Sequence, residues 1–250
     1  MVGRIVYHRE KGRGAVQVDY LGGLTILTAS LYVPEGLSRR RINRRLARLE
    51  GQMVRAGVGR VVVPEDFPYP DRLTRVRPVE TVPFYRAVAD VLVMELLRGM
   101  GKRTEQGSVA LCAPWLCPEL RRTAQRLCPV VRTIRIDVPE EGEEYARCLQ
   151  RQYGLPVAPP EVAVDVTVAF GPCGREQGQV LRLYGEMPQL GRLRLRGQGL
   201  DLPGDCDQQL LALLWEMGAV RREDLYGVVP DDSSAYVAAQ DFRPEKILEY

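Results

Sequence analysis

From residue 108 onward the sequence switches between strand and helix patterning at short, regular intervals, and this alternation constrains the fold more than any other feature. Residues 109–112 read as a strand, 118–127 as a helix, 131–136 as a strand and 140–153 as a helix. Residues 155–157 add a short strand, and 162–170 form a longer one, rich in β-branched residues, that ends at Gly171-Pro172. Parallel strands cannot be joined by a tight turn and need a crossover, so strand–helix–strand alternation dictates a parallel sheet with helices on its faces. The rest of this half is less regular. Residues 180–183 and 192–195 read as strands, 205–218 as a helix, and the tail around Asp231-Asp232-Ser233-Ser234 as loop.

The first thirty residues also read as β. Residues 4–8 and 15–20 flank Glu10-Lys11-Gly12-Arg13-Gly14, a turn-like cluster that suggests a hairpin, and 24–29 form a third strand. Ser38 reads as the N-cap of a helix running to about Ala56. In that helix Ile42, Leu46, Leu49 and Met53 recur at spacings of four, three and four, which places them on one face. Residues 60–63 form a short buried-type strand that stops at Pro64. Four prolines between 64 and 81 mark a loop or linker, and a helix from about 83 to 100, apolar almost all round, reads as buried. The layout is therefore an α/β protein: an N-terminal α/β region with a β-hairpin (1–80), a connecting helix (81–106), and a Rossmann-like parallel sheet (107–250).

Composition excludes several chemistries. The single histidine, His8, rules out multi-histidine metal sites and argues against a Ser-His-Asp triad. Paired with a cysteine, His8 would make a nucleophile–base pair, but nothing in the sequence orients it. The cysteines at 112, 117, 128, 148, 173 and 206 form no CxxC pair, so they read as reduced thiols and no metal site is expected. No apolar run reaches the length of a membrane span and the start does not resemble a signal peptide, so the expectation is a cytoplasmic protein without a membrane partner. Catalytic residues are not identifiable.

The stretch from Ser108 to Pro172, with the preceding long helix and the α/β segment at 24–63, resembles the NAD(P)-binding half of amino-acid-dehydrogenase-type Rossmann proteins, the group that includes shikimate dehydrogenase. The resemblance lies in element order and covers about two-thirds of the chain. It also looks like uncharacterised bacterial proteins of the same order, from which no function carries over. It implies NAD or NADP as cofactor, with pyrophosphate at the first strand-to-helix turn. That turn reads Ala113-Pro114-Trp115-Leu116-Cys117-Pro118-Glu119. Dinucleotide turns need glycine for the tight bend and for close approach of phosphate to backbone N–H groups. Here there is no glycine, two prolines remove donors, Trp115 and Leu116 add bulk, and Glu119 brings negative charge. Asp137, after the next strand, stands near the place of a ribose-binding carboxylate and is the one cofactor-binding candidate. A helix cap or loop role suits it better. Gly171-Pro172-Cys173-Gly174 with Gly178 reads as a connecting loop, because the Gly-Lys-Ser/Thr ending of a P-loop is missing.

Arg39, Arg40, Arg41, Arg44, Arg45, Arg48 and Arg55 share one helix with the apolar stripe. Arg40, Arg44 and Arg48 are the candidates for a surface that meets an anionic partner. The segment lacks an aromatic to stack on bases, which disfavours nucleic acid without removing it. The overall charge of +3 conceals a division. Residues 1–135 hold 24 basic and 12 acidic side chains (24 − 12 = +12), and residues 136–250 hold 11 and 20 (11 − 20 = −9). Such halves attract each other within one molecule or between two copies, so a homo-oligomer stays open. The leading expectation is a non-catalytic binding or interaction protein on a degenerate nucleotide-binding fold, without a cofactor. The alternatives are an NAD(P)-dependent oxidoreductase of the shikimate dehydrogenase-like type and an anion-partner binder.

Overall fold

The computed structural model describes residues 1–21, 23–154 and 162–229. The strand expected at 155–157 and the Asp231–Ser234 loop lie outside them.

Two sheets carry the architecture, the first mixed and the second all parallel. The first is built from β1 (Val2–His8), β2 (Val16–Leu21), β3 (Leu24–Tyr32), β4 (Arg60–Val62) and β5 (Arg77–Pro78), in the order β2-β3-β1-β4-β5. The hairpin expected between the first two strands does not form. β1 instead pairs in parallel with β3 (Ile5↔Ala29) and with β4 (Gly3↔Val61), while β2 pairs antiparallel with β3. Burial explains the arrangement. Ile5 is fully buried and belongs at the centre, whereas Val16, Val18 and Tyr20 of β2 are exposed and suit an edge. The reversal sits before β3, at Gly23 with φ of 84°. Gly12 and Gly14 serve another purpose: a Cβ at Gly12 would lie 2.4 Å from the Tyr32 ring, so glycine there permits the chain to cross over the end of β3.

Helix α1 (Arg39–Arg55) follows β3 with the expected boundaries. Ile42, Leu46, Leu49 and Met53 are buried against Ile5, Leu27 and Val61 of the sheet. Ser38 occupies the N-cap position, but its hydroxyl makes no capping bond. Its carbonyl alone accepts from the N–H groups of Arg41 (2.9 Å) and Ile42 (3.1 Å). Buried on the same helix, Glu50 accepts the N–H groups of Thr74 (2.7 Å) and Arg75 (2.8 Å), and so holds the proline-rich loop before β5.

The helix expected over 83–100 is two helices, α2 (Val82–Ala87) and α3 (Ala89–Gly99), broken at Val88. The carbonyl of Ala87, at the break, accepts from Arg126 Nη1 at 3.1 Å, a partner supplied from another helix and invisible to local pattern. As its all-round apolarity demands, the pair is deeply buried: Val88, Ala89, Leu92 and Val93 are fully enclosed.

The second sheet is all parallel: β6 (Ser108–Cys112), β7 (Thr133–Asp137), β8 (Val166–Ala169) and β9 (Gln179–Arg182), in the order β7-β6-β8-β9. Helix α4 (Pro118–Leu127) joins β6 to β7, and α5 (Gly142–Tyr153) precedes β8. From β6 the chain moves outward to β7, then returns past β6 to β8 and β9. This is the doubly wound, Rossmann-like pattern, with its switch point between β6 and β8. A two-stranded antiparallel ribbon, β10 (Arg194–Gly197) and β11 (Leu225–Val228), brackets α6 (Asp207–Glu216). β11 is an addition to the sequence-based reading. The largest apolar cluster unites this sheet, α2, α3, α4 and α6, and includes Leu24, Ile26 and Val62 from the opposite face of the first sheet.

Ion pairs cross between the two halves of the sequence. Arg4 meets Asp205 at 2.9 Å, and Arg60 meets Glu216 with Nη2–Oε1 at 3.0 Å. Arg194 meets Glu65, and Arg222 meets buried Asp90. Among the described residues no helix is long and apolar enough to cross a membrane.

Candidate functional site

In open α/β sheets ligands bind beyond the carboxyl ends of the strands, at the switch point. Here that point lies beyond Cys112 and Ala169, neighbours across β6 and β8. There the two loops touch. A Cβ built on Gly171 would lie 2.5 Å from Pro114 Cδ and 2.9 Å from Cγ, so the Pro114 ring rests directly on the backbone of the opposing loop. Trp115, expected to supply the obstructing bulk, turns outward and is 67 % exposed. The blocking side chain is thus the smaller one. The Leu116 N–H, at the approach to α4, points toward Glu141 Oε2 at 3.4 Å, and Glu119 sits in the first turn of that helix. Carboxylates therefore stand where a phosphate would need to be. The residues present do not fit a dinucleotide pyrophosphate at this turn.

Asp137 ends β7, at the level of a ribose-binding carboxylate. Its Oδ2 accepts from Arg135 Nε at 2.9 Å and from the Cys112 thiol at 3.6 Å. Arg135 is only 1 % exposed and also donates to the Val162 carbonyl (2.9 Å) and Gln177 Oε1 (3.0 Å). A buried guanidinium must be paired, and Asp137 supplies the counter-charge. Sequence reasoning passed over Arg135. The signal was an arginine between Ile134 and Ile136, on the face opposite its apolar neighbours. Nearby, burial pushes the Cys112 thiol far up, with Cys173 and Asp137 adding to the shift, so Cys112 stays a neutral thiol. All six cysteines are free, and among the described residues no cluster of metal-ligating side chains assembles. His8 stacks on the Tyr32 ring at 4.3 Å, with planes 12° apart.

The arginine helix presents a different picture. Arg40, Arg44 and Arg48 are exposed, as are Arg39, Arg41 and Arg55, while Arg45 is half-buried and donates to the Tyr32 carbonyl. Among the described residues none of these seven arginines pairs with a carboxylate. The first turn of α1 holds Arg39, Arg40 and Arg41 and no acidic residue, against the preference of a helix start for negative charge. Elsewhere in the molecule arginines find carboxylates readily, as Arg4, Arg60, Arg182 and Arg194 do.

The geometry defines an α/β protein of Rossmann-like topology, with Pro114 packed on Gly171 beyond the switch point and exposed arginines along α1. No family model matches the sequence, and no curated protein matches it. Among solved structures, the chain is similar to L-tryptophan dehydrogenase from Nostoc punctiforme, with a TM-score of 0.28 and 16 % identity, over 57 % of this chain and 43 % of that one. The chain thus spans less than half the length of that enzyme. Nothing in the match is specific to shikimate dehydrogenase, and the fold class rests on the strand order itself.

Proposed function

We propose that this is a binding protein that engages an anionic partner through the exposed face of α1, on a Rossmann-like frame that does not use a dinucleotide. The observation that carries this reading is the row of α1 arginines, which have no intramolecular counter-charge among the described residues. A helix bearing three arginines against its own dipole loses stability in isolation, and an anion docked there restores it. Affinity for duplex DNA, duplex RNA and an acidic peptide, measured at low and moderate salt, tests the reading. Binding to at least one should weaken steeply as salt rises, and Arg40→Ala, Arg44→Ala and Arg48→Ala together should reduce it and flatten the salt dependence. Salt-independent binding, or binding indifferent to these substitutions, overturns it.

The oxidoreductase reading is disfavoured by the Pro114 ring on Gly171 and by the engagement of Asp137 with Arg135. Titration with NAD, NADP and their reduced forms decides it: submillimolar affinity for any of the four restores the dehydrogenase alternative.

A further inference from the structure

The Gly12–Val16 segment, the end of β3 and the middle of α1 line an open concavity of about 460 Å³. It forms where β2 leaves the sheet. The β2–β3 ladder ends at Val16↔Ala29, the Ser30 N–H donates to the Ala15 carbonyl at 2.9 Å, and the preceding residues cross the strand end instead of pairing with it. Gly12 makes this crossing by lying against the Tyr32 ring, and Gly14 approaches the Ser30 carbonyl. Arg13, between the two glycines, is thereby placed on the cavity wall. Arg45 and Arg48 face it from α1, and the contact of Arg45 with the Tyr32 carbonyl fixes its guanidinium there. Ser30 and Gln52 add polar groups, Leu31 and Leu49 add apolar surface, and neither aspartate nor glutamate lines the space. The cavity lies beside the last residues of β3, the carboxyl end of that strand, which is the end at which α/β sheets bind ligands.

Three arginines line one concavity, and no acidic side chain among its lining residues offsets their charge. Guanidinium forks match phosphate oxygens in pairs, and three of them suit a dianion better than a single carboxylate. A volume within the roughly 300–1,000 Å³ of small-molecule sites leaves room for more than a bare ion. We propose that this cavity binds a small phosphate monoester, the phosphate held by Arg13, Arg45 and Arg48 and the organic body lying toward Leu31 and Leu49. The proposal rests on the reading of α1 as an anion-binding element and assigns it a pocket distinct from the outer Arg40 and Arg44 face.

The test uses the full chain with ribose 5-phosphate, inorganic phosphate and ribose as probes, read by thermal unfolding and calorimetric titration. Ribose 5-phosphate should bind and raise the melting temperature in proportion to the logarithm of its concentration, phosphate should do so less, and ribose not at all. Arg13→Ala lies on an exposed segment and removes no core contact. It should weaken ribose 5-phosphate binding by about tenfold, and adding Arg45→Ala should weaken it further. Arg40→Ala with Arg44→Ala should leave this binding within about twofold, because both lie outside the cavity. No binding of ribose 5-phosphate, or equal binding by the Arg13→Ala protein, overturns the pocket. If macromolecular anions still bind in an Arg40- and Arg44-dependent way, the pocket alone has failed. If ribose 5-phosphate binds and no macromolecular anion does, the pocket holds and the outer-face reading falls.

Discussion

The contact between Pro114 and Gly171 lies beyond the switch point of the second sheet, and it can be probed directly. Gly171→Ala adds one methyl group 2.5 Å from Pro114 Cδ. Carbon atoms pack at about 3.5–4.0 Å, so the methyl arrives roughly an ångström too close. The usual escape, rotation of a flexible side chain, is denied by the proline ring, which is fixed to its own backbone. One of the two loops must move, and overpacking of this kind costs about 1–3 kcal/mol. For a chain of this size that lowers the melting temperature by about 2–4 °C per kcal/mol, so a drop of about 4–8 °C is expected for a mid-range cost of about 2 kcal/mol. Gly171 does not have a positive φ, so alanine itself is conformationally acceptable and the loss is attributable to the collision. Pro114→Gly removes the ring. Combined with Gly171→Ala it should cost less than the sum of the two single changes, with a coupling of about 1 kcal/mol or more. A melting curve for Gly171→Ala that overlays the parent, or strictly additive losses in the double variant, would show that the ring does not fill the crevice and would reopen the switch point to a cofactor.

Glu50→Ala should destabilise the protein by about 3 kcal/mol, since it orphans the Thr74 and Arg75 N–H groups, while Glu50→Gln should cost clearly less; urea denaturation of the two side by side checks the order. Burial pushes the Tyr145 hydroxyl up to about 12 from 10.0. Between those values the folded protein keeps a proton that the unfolded chain releases, so this group's contribution to stability is full below pH 10 and falls as pH rises toward 12; a Tyr145→Phe protein should lack that part of the decline. Burial also holds the thiols of Cys128 and Cys206 up at about 11 and about 12, whereas Cys148 is exposed. At mildly alkaline pH a thiol reagent should label Cys148 first and reach Cys128 and Cys206 only after denaturant is added.

How far the fold was legible in the sequence depends on whether the information was local. Helices α1 and α4 have the boundaries that their apolar spacing and flanking residues imply, because amphipathic period and breakers are written within one segment. The parallel strands β6, β7 and β8 follow from alternation. The N-terminal hairpin failed because Gly12 and Gly14 looked like turn residues, while their function is to let the chain pass close over Tyr32, a residue of another strand. The break at Val88 failed for a similar reason, since the group that caps it, Arg126, belongs to α4. At the switch point the sequence showed correctly that glycine is missing, but not which side chain fills the space. Trp115 is the bulkier residue, yet Pro114 is the one that meets Gly171, and only the pairing of β6 with β8 brings those two together. The basic helix was visible as a row of arginines, but the cavity beside it was not, because Arg13 and Arg48 become neighbours only when the strand end and the helix are assembled.

The charge division between the halves has a kinetic meaning once the ion pairs are known. Arg4, Arg60 and Lys102 face Asp205, Glu216 and Asp165 in partly exposed ion pairs, while the α1 arginines have no carboxylate partner among the described residues. Among the described residues that helix is therefore a patch of unpaired positive charge. An approaching anion is drawn toward α1 before any contact is made, which raises the rate of encounter and not the lifetime of the complex. Added salt should accordingly slow arrival much more than it hastens departure, and stopped-flow measurements across a salt series would register the asymmetry.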